Sequence, residues 1–312
     1  MEEACIALLP DQWVAADQFE YALQAAWKRF TSPQCSRVIF HFPPSCKIMV
    51  DAAVRLLSLA NQLIAKGTAV TFTFDGENHD AMQYLHRANF FTVLAKQVQV
   101  TPRRPDPRTV ARYQGNNPRL IEFQMLRSGH ESATEHLPSQ LTNALKRATV
   151  NRKDTRIQDT RQLESATFTI FAELISNVEQ HSQTVLDGFA ALQVYSQGGK
   201  VQVVVSDSGV GLLETLRPKL LSLEVRHLED AELIRSLFHG DLQWNPAGKG
   251  QGLRGCAFHA LKFRGTVDIR LATCSIHLGP SSNGYGDARC RQGLVPLQGT
   301  HICFTFSLDN PS

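Results

Sequence analysis

Apolar positions recur along this chain in two periods, and the changes of period mark its elements. "RVIFHF" (37–42) and "AVTFTF" (69–74) are short apolar runs rich in β-branched and aromatic residues, which predicts strands. Between them "CKIMVDAAVRLLSLANQLIAKG" (46–67) is long and closed by Gly67, which predicts a helix. "HDAMQYLHRANFF" (79–91) predicts another. Strand–helix–strand–helix over residues 1–100 predicts a small α/β layer domain.

"TPRRPDPRT" (101–109) breaks this pattern with three prolines among charges. Residues 101–116 are read as a basic, Pro-rich linker carrying Arg103, Arg104, Arg108 and Arg112. A solvated connection is the plain reading, and a phosphate-contacting patch that includes Arg119 is the alternative. A second domain follows over 117–312. There "RLIEFQML" (119–126) alternates like a strand, "LPSQLTNALKRATV" (137–150) predicts a helix, and "GFAALQVYSQGGKVQVVVSDSGVGL" (188–212) predicts two strands around Gly198-Gly199. A lid-like stretch of mixed charge runs on to Pro246. "GKGQGLRG" (248–255), "GTVDIRL" (265–271) and "GTHICFTFSL" (299–308) close the chain.

Leu163 to His181 contains no Gly or Pro and predicts a helix. Glu173, Asn177 and His181 recur every four residues, so they form one slowly drifting stripe. Phe168, Phe171, Leu174, Ile175 and Val178 form the adjoining arc, expected to be buried, with Ile170 intruding on the polar stripe.

Composition narrows the classes. A chain of 312 residues suggests two domains, and its apolar fraction rules out wholesale disorder. No apolar run reaches membrane-spanning length, and MEEACIALLPDQW lacks the order of a secretory signal. Seven Cys without CxxC spacing read as reduced thiols of a cytosolic protein, and the late Cys/His mixture lacks paired ligand spacing. A net charge of +3 is too small to argue for nucleic acid by itself.

Four motifs stand in order: Glu173-x-x-x-Asn177-x-x-x-His181, Asp207-Ser208-Gly209-Val210-Gly211, Gly248-Lys249-Gly250-Gln251-Gly252-Leu253, and Gly299-Thr300. Together they suit one nucleotide. Glycine turns let backbone approach a ligand closely, and a turn opening a helix offers N–H groups to phosphate, with the charge of Lys249 beside it. Asp207 at a strand end suits an exocyclic amine, the Asn177 carbonyl suits Mg²⁺, and Glu173 one turn away suits a proton acceptor.

In this combination the sequence resembles the GHKL (Bergerat-fold) ATP-binding superfamily, which includes gyrase and the histidine kinases. The resemblance covers roughly 117–312. It implies a Bergerat-fold α/β sandwich, with helices packed on one face of a mixed sheet, that binds ATP and Mg²⁺. It implies Glu173 as general base, Asn177 as Mg²⁺ ligand, Asp207 and Thr300 as adenine-side groups, and Gly209, Gly211, Gly250 and Gly252 as points of backbone approach. His181, Lys249, Gln251 and Leu253 complete the nucleotide-side set. "ELISNVEQHS" is most similar to the anti-sigma-factor serine kinases. Val178 departs from the small Ala common there, and the extra stretch 272–297 has no counterpart. His136 in "EHLPSQL" resembles a histidine-kinase phospho-acceptor segment, but no acidic residue follows it and no two-helix hairpin precedes the domain.

Residues 1–100 resemble a STAS domain, the fold of the anti-sigma-factor antagonists. Where these carry Asp-Ser, this chain has Asp51-Ala52, and Ala52 has no hydroxyl to phosphorylate. The resemblance therefore implies a docking or regulatory module for a protein partner, with Ser45 and Ser58 structural and a homodimer left open. The expected function is ATP hydrolysis or phosphoryl transfer coupled to partner binding. A non-catalytic ATP-dependent switch and a nucleic-acid-associated ATPase are the alternatives.

Overall fold

Two sheets and one helix wedged between them organise the chain in the computed structural model. It describes residues 3–30, 35–76, 79–110, 117, 119–127, 134–150, 160–181, 184–197, 199–220, 226–239, 252–262, 265–280 and 287–307. The first layer runs β1 (Glu3–Leu8), β2 (Trp13–Val14), α1 (Ala16–Phe30), β3 (Cys35–Phe42), β4 (Lys47–Ile48), α2 (Val50–Ala65), β5 (Ala69–Phe74), α3 (Asp80–Arg87), α4 (Phe90–Val93) and β6 (Gln99–Thr101). Strands β1-β3-β5-β6 form a parallel sheet in that order. Each crossover advances the same way, so right-handed connections put the helices on one face. That face buries Ala7, Phe40 and Phe72, while Ile6 and Leu8 stay exposed on the other.

Several expected elements fall where the pattern puts them, with instructive differences. The helix expected over 79–91 is two, because Asn89 turns left-handed at φ 66°, a conformation Asn tolerates. Its side chain donates to the Phe123 carbonyl and fixes the break. The strap expected to be solvated is anchored: the Arg104 guanidinium donates to the carbonyls of Phe91, Leu94, Ala95 and Val98.

The second part contains α5 (Pro107–Val110), β7 (Leu120–Leu126), α6 (Leu137–Val150), α7 (Thr160–His181), β8 (Gly188–Tyr195) and β9 (Lys200–Ser206). α8 (Leu212–Leu216), a 3-10 turn (Arg217–Lys219), α9 (Asp230–His239) and α10 (Gly252–Lys262) follow, then β10 (Thr266–Arg270), β11 (Ser275–Gly279), β12 (Asp287–Arg291) and β13 (His301–Ser307). Their sheet has the order β12-β11-β10-β13-β9-β8-β7. It was expected to be mixed, yet every pair in it is antiparallel, because β13 inserts between β9 and β10 and separates the two strands that run the same way. The stretch 272–297 now has a place. β11 and β12 widen the sheet, and Val295 and Leu297 return into the core beneath the first layer.

Both faces of this antiparallel sheet are covered. One carries α6, α7 and α10, with Leu141, Phe171, Leu174 and Ala257 packed on Val201, Val203 and Val205. The other receives α2, whose residues Val50–Ala60 are buried throughout, Asp51 and Ala52 among them. Phe189, Ala191, Val204 and Cys303 from the second sheet join the same core as Phe40 and Phe72 from the first. α2 runs parallel to β9: Gln202 donates to Asp51 (3.5 Å), Ser206 meets Ser58 (3.5 Å), and Gln62 donates to Ser208 (3.1 Å). Eleven helical residues rise about 16 Å and six strand residues about 20 Å, so the two stay nearly in step.

Candidate functional site

α7 brings the first motif to the sheet. Glu173 and Asn177 are half-buried, and the Asn177 amide nitrogen donates to Glu173 Oε1 at 3.5 Å. That bond uses the nitrogen, not the carbonyl oxygen that a hard cation would take. The buried arc differs from expectation at one point. Ile170 is fully buried and Phe168 is 46% exposed, because α10 packs along α7 and the Cys256 thiol reaches the Ile170 carbonyl. Burial, and then the charge of Glu173, push the Cys256 thiol up to about 12. Glu179, also on α7 and outside the expected set, is buried and accepts from Thr134.

Val178 locks the first motif to the second. A Cβ on Gly188 would lie 2.4 Å from Val178 Cγ1 and 2.6 Å from the Ser206 carbonyl, so Gly188 makes the room that the larger Val needs. Val178 follows Asn177 and Ser206 precedes Asp207, so this contact brings the two motifs together at one end of the sheet.

The second and fourth motifs are one hydrogen-bonded unit. Asp207 Oδ1 accepts from the Gly209 N–H (2.7 Å) and Oδ2 from the Thr300 N–H (3.1 Å). The Asp207 N–H donates to the Thr300 carbonyl (2.9 Å), and Thr300 Oγ1 accepts from the Leu212 N–H (2.8 Å). Glycine is required here on steric grounds. Gly299 sits at φ +90°, and a Cβ there would fall 2.1 Å from the Asp207 carbonyl oxygen. Gly211 lies at φ +87° facing Gly299. Burial pushes the Asp207 carboxyl up to about 6, and the two backbone N–H groups partly offset it.

The structure therefore brings Glu173, Asn177, Asp207, Gly209, Gly211 and Thr300 to neighbouring elements. Gly252 opens α10, which lies against α7. Lys249, Gly250 and Gln251, and the side chains of His181 and Leu253, lie outside the described residues. The donor set fits a magnesium nucleotide: a desolvated carboxylate acceptor, an amide oxygen beside a carboxylate, and a helix N-terminus.

Sequence reasoning missed the buried polar side of α2 behind this unit, from which Gln62 bonds its loops and Ser58 meets Ser206. Asp51, Arg55, Ser58 and Gln62 recur at a helical spacing, and all four are buried. The available signal was four polar side chains on one face of a helix with an apolar remainder. Comparison with protein-family models, with curated proteins and with solved structures found no match for the chain.

Proposed function

We propose that the chain is a regulatory protein that binds Mg·ATP and hydrolyses it or transfers its phosphoryl group. One observation carries this reading. Asp207 and Thr300, 93 positions apart, are joined in one buried unit beside the Glu173/Asn177 pair. The Asp207 carboxyl, pushed up to about 6 by burial, supports this reading.

Asp207 offers a desolvated acceptor to the exocyclic amine of adenine. The Asn177 carbonyl oxygen is the group for magnesium, which favours oxygen ligands and retains water. The nucleotide supplies the phosphoryl group. Glu173, one turn from Asn177, takes the proton from the attacking oxygen of water or of a protein hydroxyl. α10 opens at Gly252, and in this reading the N–H groups of its first turn meet phosphate.

The first layer supplies the regulatory coupling in this reading. With Asp51 and Ala52 buried against the second sheet, a protein partner meets the layer elsewhere than at the start of α2. Phosphate release and protein labelling from radiolabelled ATP test the proposal. Glu173→Ala is expected to slow turnover by about 10²–10⁴-fold while leaving ATP bound. Parent protein that binds ATP but yields neither phosphate nor label would make it a switch without chemistry.

A further inference from the structure

Gln62 stands on α2, in the first layer, and reaches the nucleotide-side loops of the second. Its Nε2 donates to Ser208 Oγ (3.1 Å) and to the Gln298 carbonyl (3.0 Å), and its Oε1 accepts from the Gln298 N–H (2.9 Å). The side-chain amide thus pairs with both backbone groups of one residue, as a neighbouring strand would. Gln62 and Ser208 are 3% and 4% exposed, so water does not substitute for these bonds. Ser208 follows Asp207, and Gln298 precedes Gly299-Thr300. One amide therefore holds both chain segments whose mutual hydrogen bonds fix the Asp207 carboxylate.

We infer that Gln62 is a positioning residue for the adenine-reading unit, and that the first layer sets nucleotide affinity through it. The inference rests on the proposed Mg·ATP site for its functional half only. Its geometry is a clamp across two loops that have no covalent link within 90 residues. Any ligand of the first layer that shifts α2 along β9 changes the separation of Ser208 and Gln298. The Asp207 pocket then responds with no residue of its own altered.

Two measurements on the full chain test this. Gln62→Leu keeps a similar volume but takes the Gln62 amide from Ser208 Oγ and from the Gln298 N–H, while the Gln298 carbonyl keeps His301 Nε2 (3.1 Å). Tyr195→Phe is the control, since the Tyr195 hydroxyl accepts from the Val50 N–H (2.8 Å) at the far end of the same helix–sheet contact. In hydrogen exchange, Gln62→Leu should deprotect the Gly209, Leu212 and Thr300 amides, and Tyr195→Phe should leave them protected. In titrations, Gln62→Leu should weaken ATP binding by about tenfold and Tyr195→Phe by less than about twofold. Deprotection of those amides in both variants alike, or in neither, overturns the positioning role, whatever the parent binds. Selective deprotection with unchanged ATP affinity overturns the link to nucleotide affinity. Parent protein that fails to bind ATP refutes the functional proposal, while exchange still decides the clamp.

Discussion

The two faces of the antiparallel sheet are both largely apolar, and the α2 face adds a buried polar seam that the other lacks among the described residues. Toward α6, α7 and α10 the sheet presents Val201, Val203 and Val205 to Leu141, Phe171 and Leu174. Toward α2 it presents Gln202, Ser206 and the loop residue Ser208, paired with Asp51, Ser58 and Gln62. Below them lies a buried charge cluster. Glu20 accepts from Arg55 and Arg270 at 2.9 Å each, and Arg270 also donates to the carbonyls of Leu271, Ala272 and Val295. Hydrocarbon contacts are non-directional and tolerate repacking. Hydrogen bonds between buried groups are not interchangeable, so the α2 face fixes the register of helix on strand where the other face need not. The candidate site opens beside the tolerant face and is held from behind by the exacting one.

The widest separation between the faces should come from Glu20→Ala. It leaves Arg55 and Arg270 buried without their carboxylate, and such losses amount to about 3–5 kcal/mol. Urea denaturation would measure it. Replacing Glu20, Arg55 and Arg270 together by apolar residues of similar volume should recover much of the loss. Leu174→Ala on the opposite face should cost about 2–5 kcal/mol through its cavity, and no apolar partner change should recover it without filling that volume. A loss below about 1 kcal/mol for Glu20→Ala would mean that charge does not specify the α2 face.

How far the sequence carries depends on the same contrast. β5 and α6 have the bounds that their periodicity indicates, since one period operates in each and its neighbours agree with it. β1 was not anticipated. Cys5 and Ala7 face inward, yet Ile6 and Leu8 face out, so an edge strand with two apolar sides shows no alternation. Asn89 was a readable break that a continuous helical period concealed. At the site, the spacing of Glu173 and Asn177 and the glycines around Asp207 were readable, because local geometry demands those residue types. The roles of Gln62, Glu20 and Arg270 were not. Each depends on a partner roughly 35 to 250 positions away, and the pairing of two layers leaves no local trace.

The loop joining the faces gives a graded test. Gly299→Ala combines a left-handed backbone with a Cβ 2.1 Å from the Asp207 carbonyl, so about 2–4 kcal/mol should be lost. Gly211→Ala carries similar backbone strain, but its nearest neighbour is 3.4 Å away, and about 1–2 kcal/mol is expected. Denaturation midpoints in the reverse order would show that the Asp207 carbonyl yields more readily than the Gly211 turn. Under the proposed function, Gly299→Ala should also abolish ATP binding, because it displaces the residue that reads adenine.

The finest distinction is a pH profile. His301 lies on the α2 face, where burial and the charges of Arg55 and Arg270 push its imidazole down to about 3. The unfolded chain takes up that proton near 6.5 and the folded chain does not, so this group's stabilisation is full above 6.5 and declines as pH falls. Asp207 acts in the opposite sense. Its folded value of about 6 exceeds the unfolded 3.8, so its stabilisation is full below 3.8 and is lost as pH rises through 6. Between pH 4 and 6 the two slopes, each about 1.4 kcal/mol per pH unit, oppose one another. Asp207→Asn removes one of them. Its stability should climb from pH 4 to 6 more steeply than the parent's by roughly that amount, and the two profiles should become parallel above pH 7. Parallel profiles across the whole range would mean that the Asp207 carboxyl is as well solvated as any surface carboxylate. The desolvated acceptor on which the proposed adenine recognition rests would then be absent. A steeper profile together with ATP affinity that rises through pH 6 in the parent would tie the same ionisation to binding.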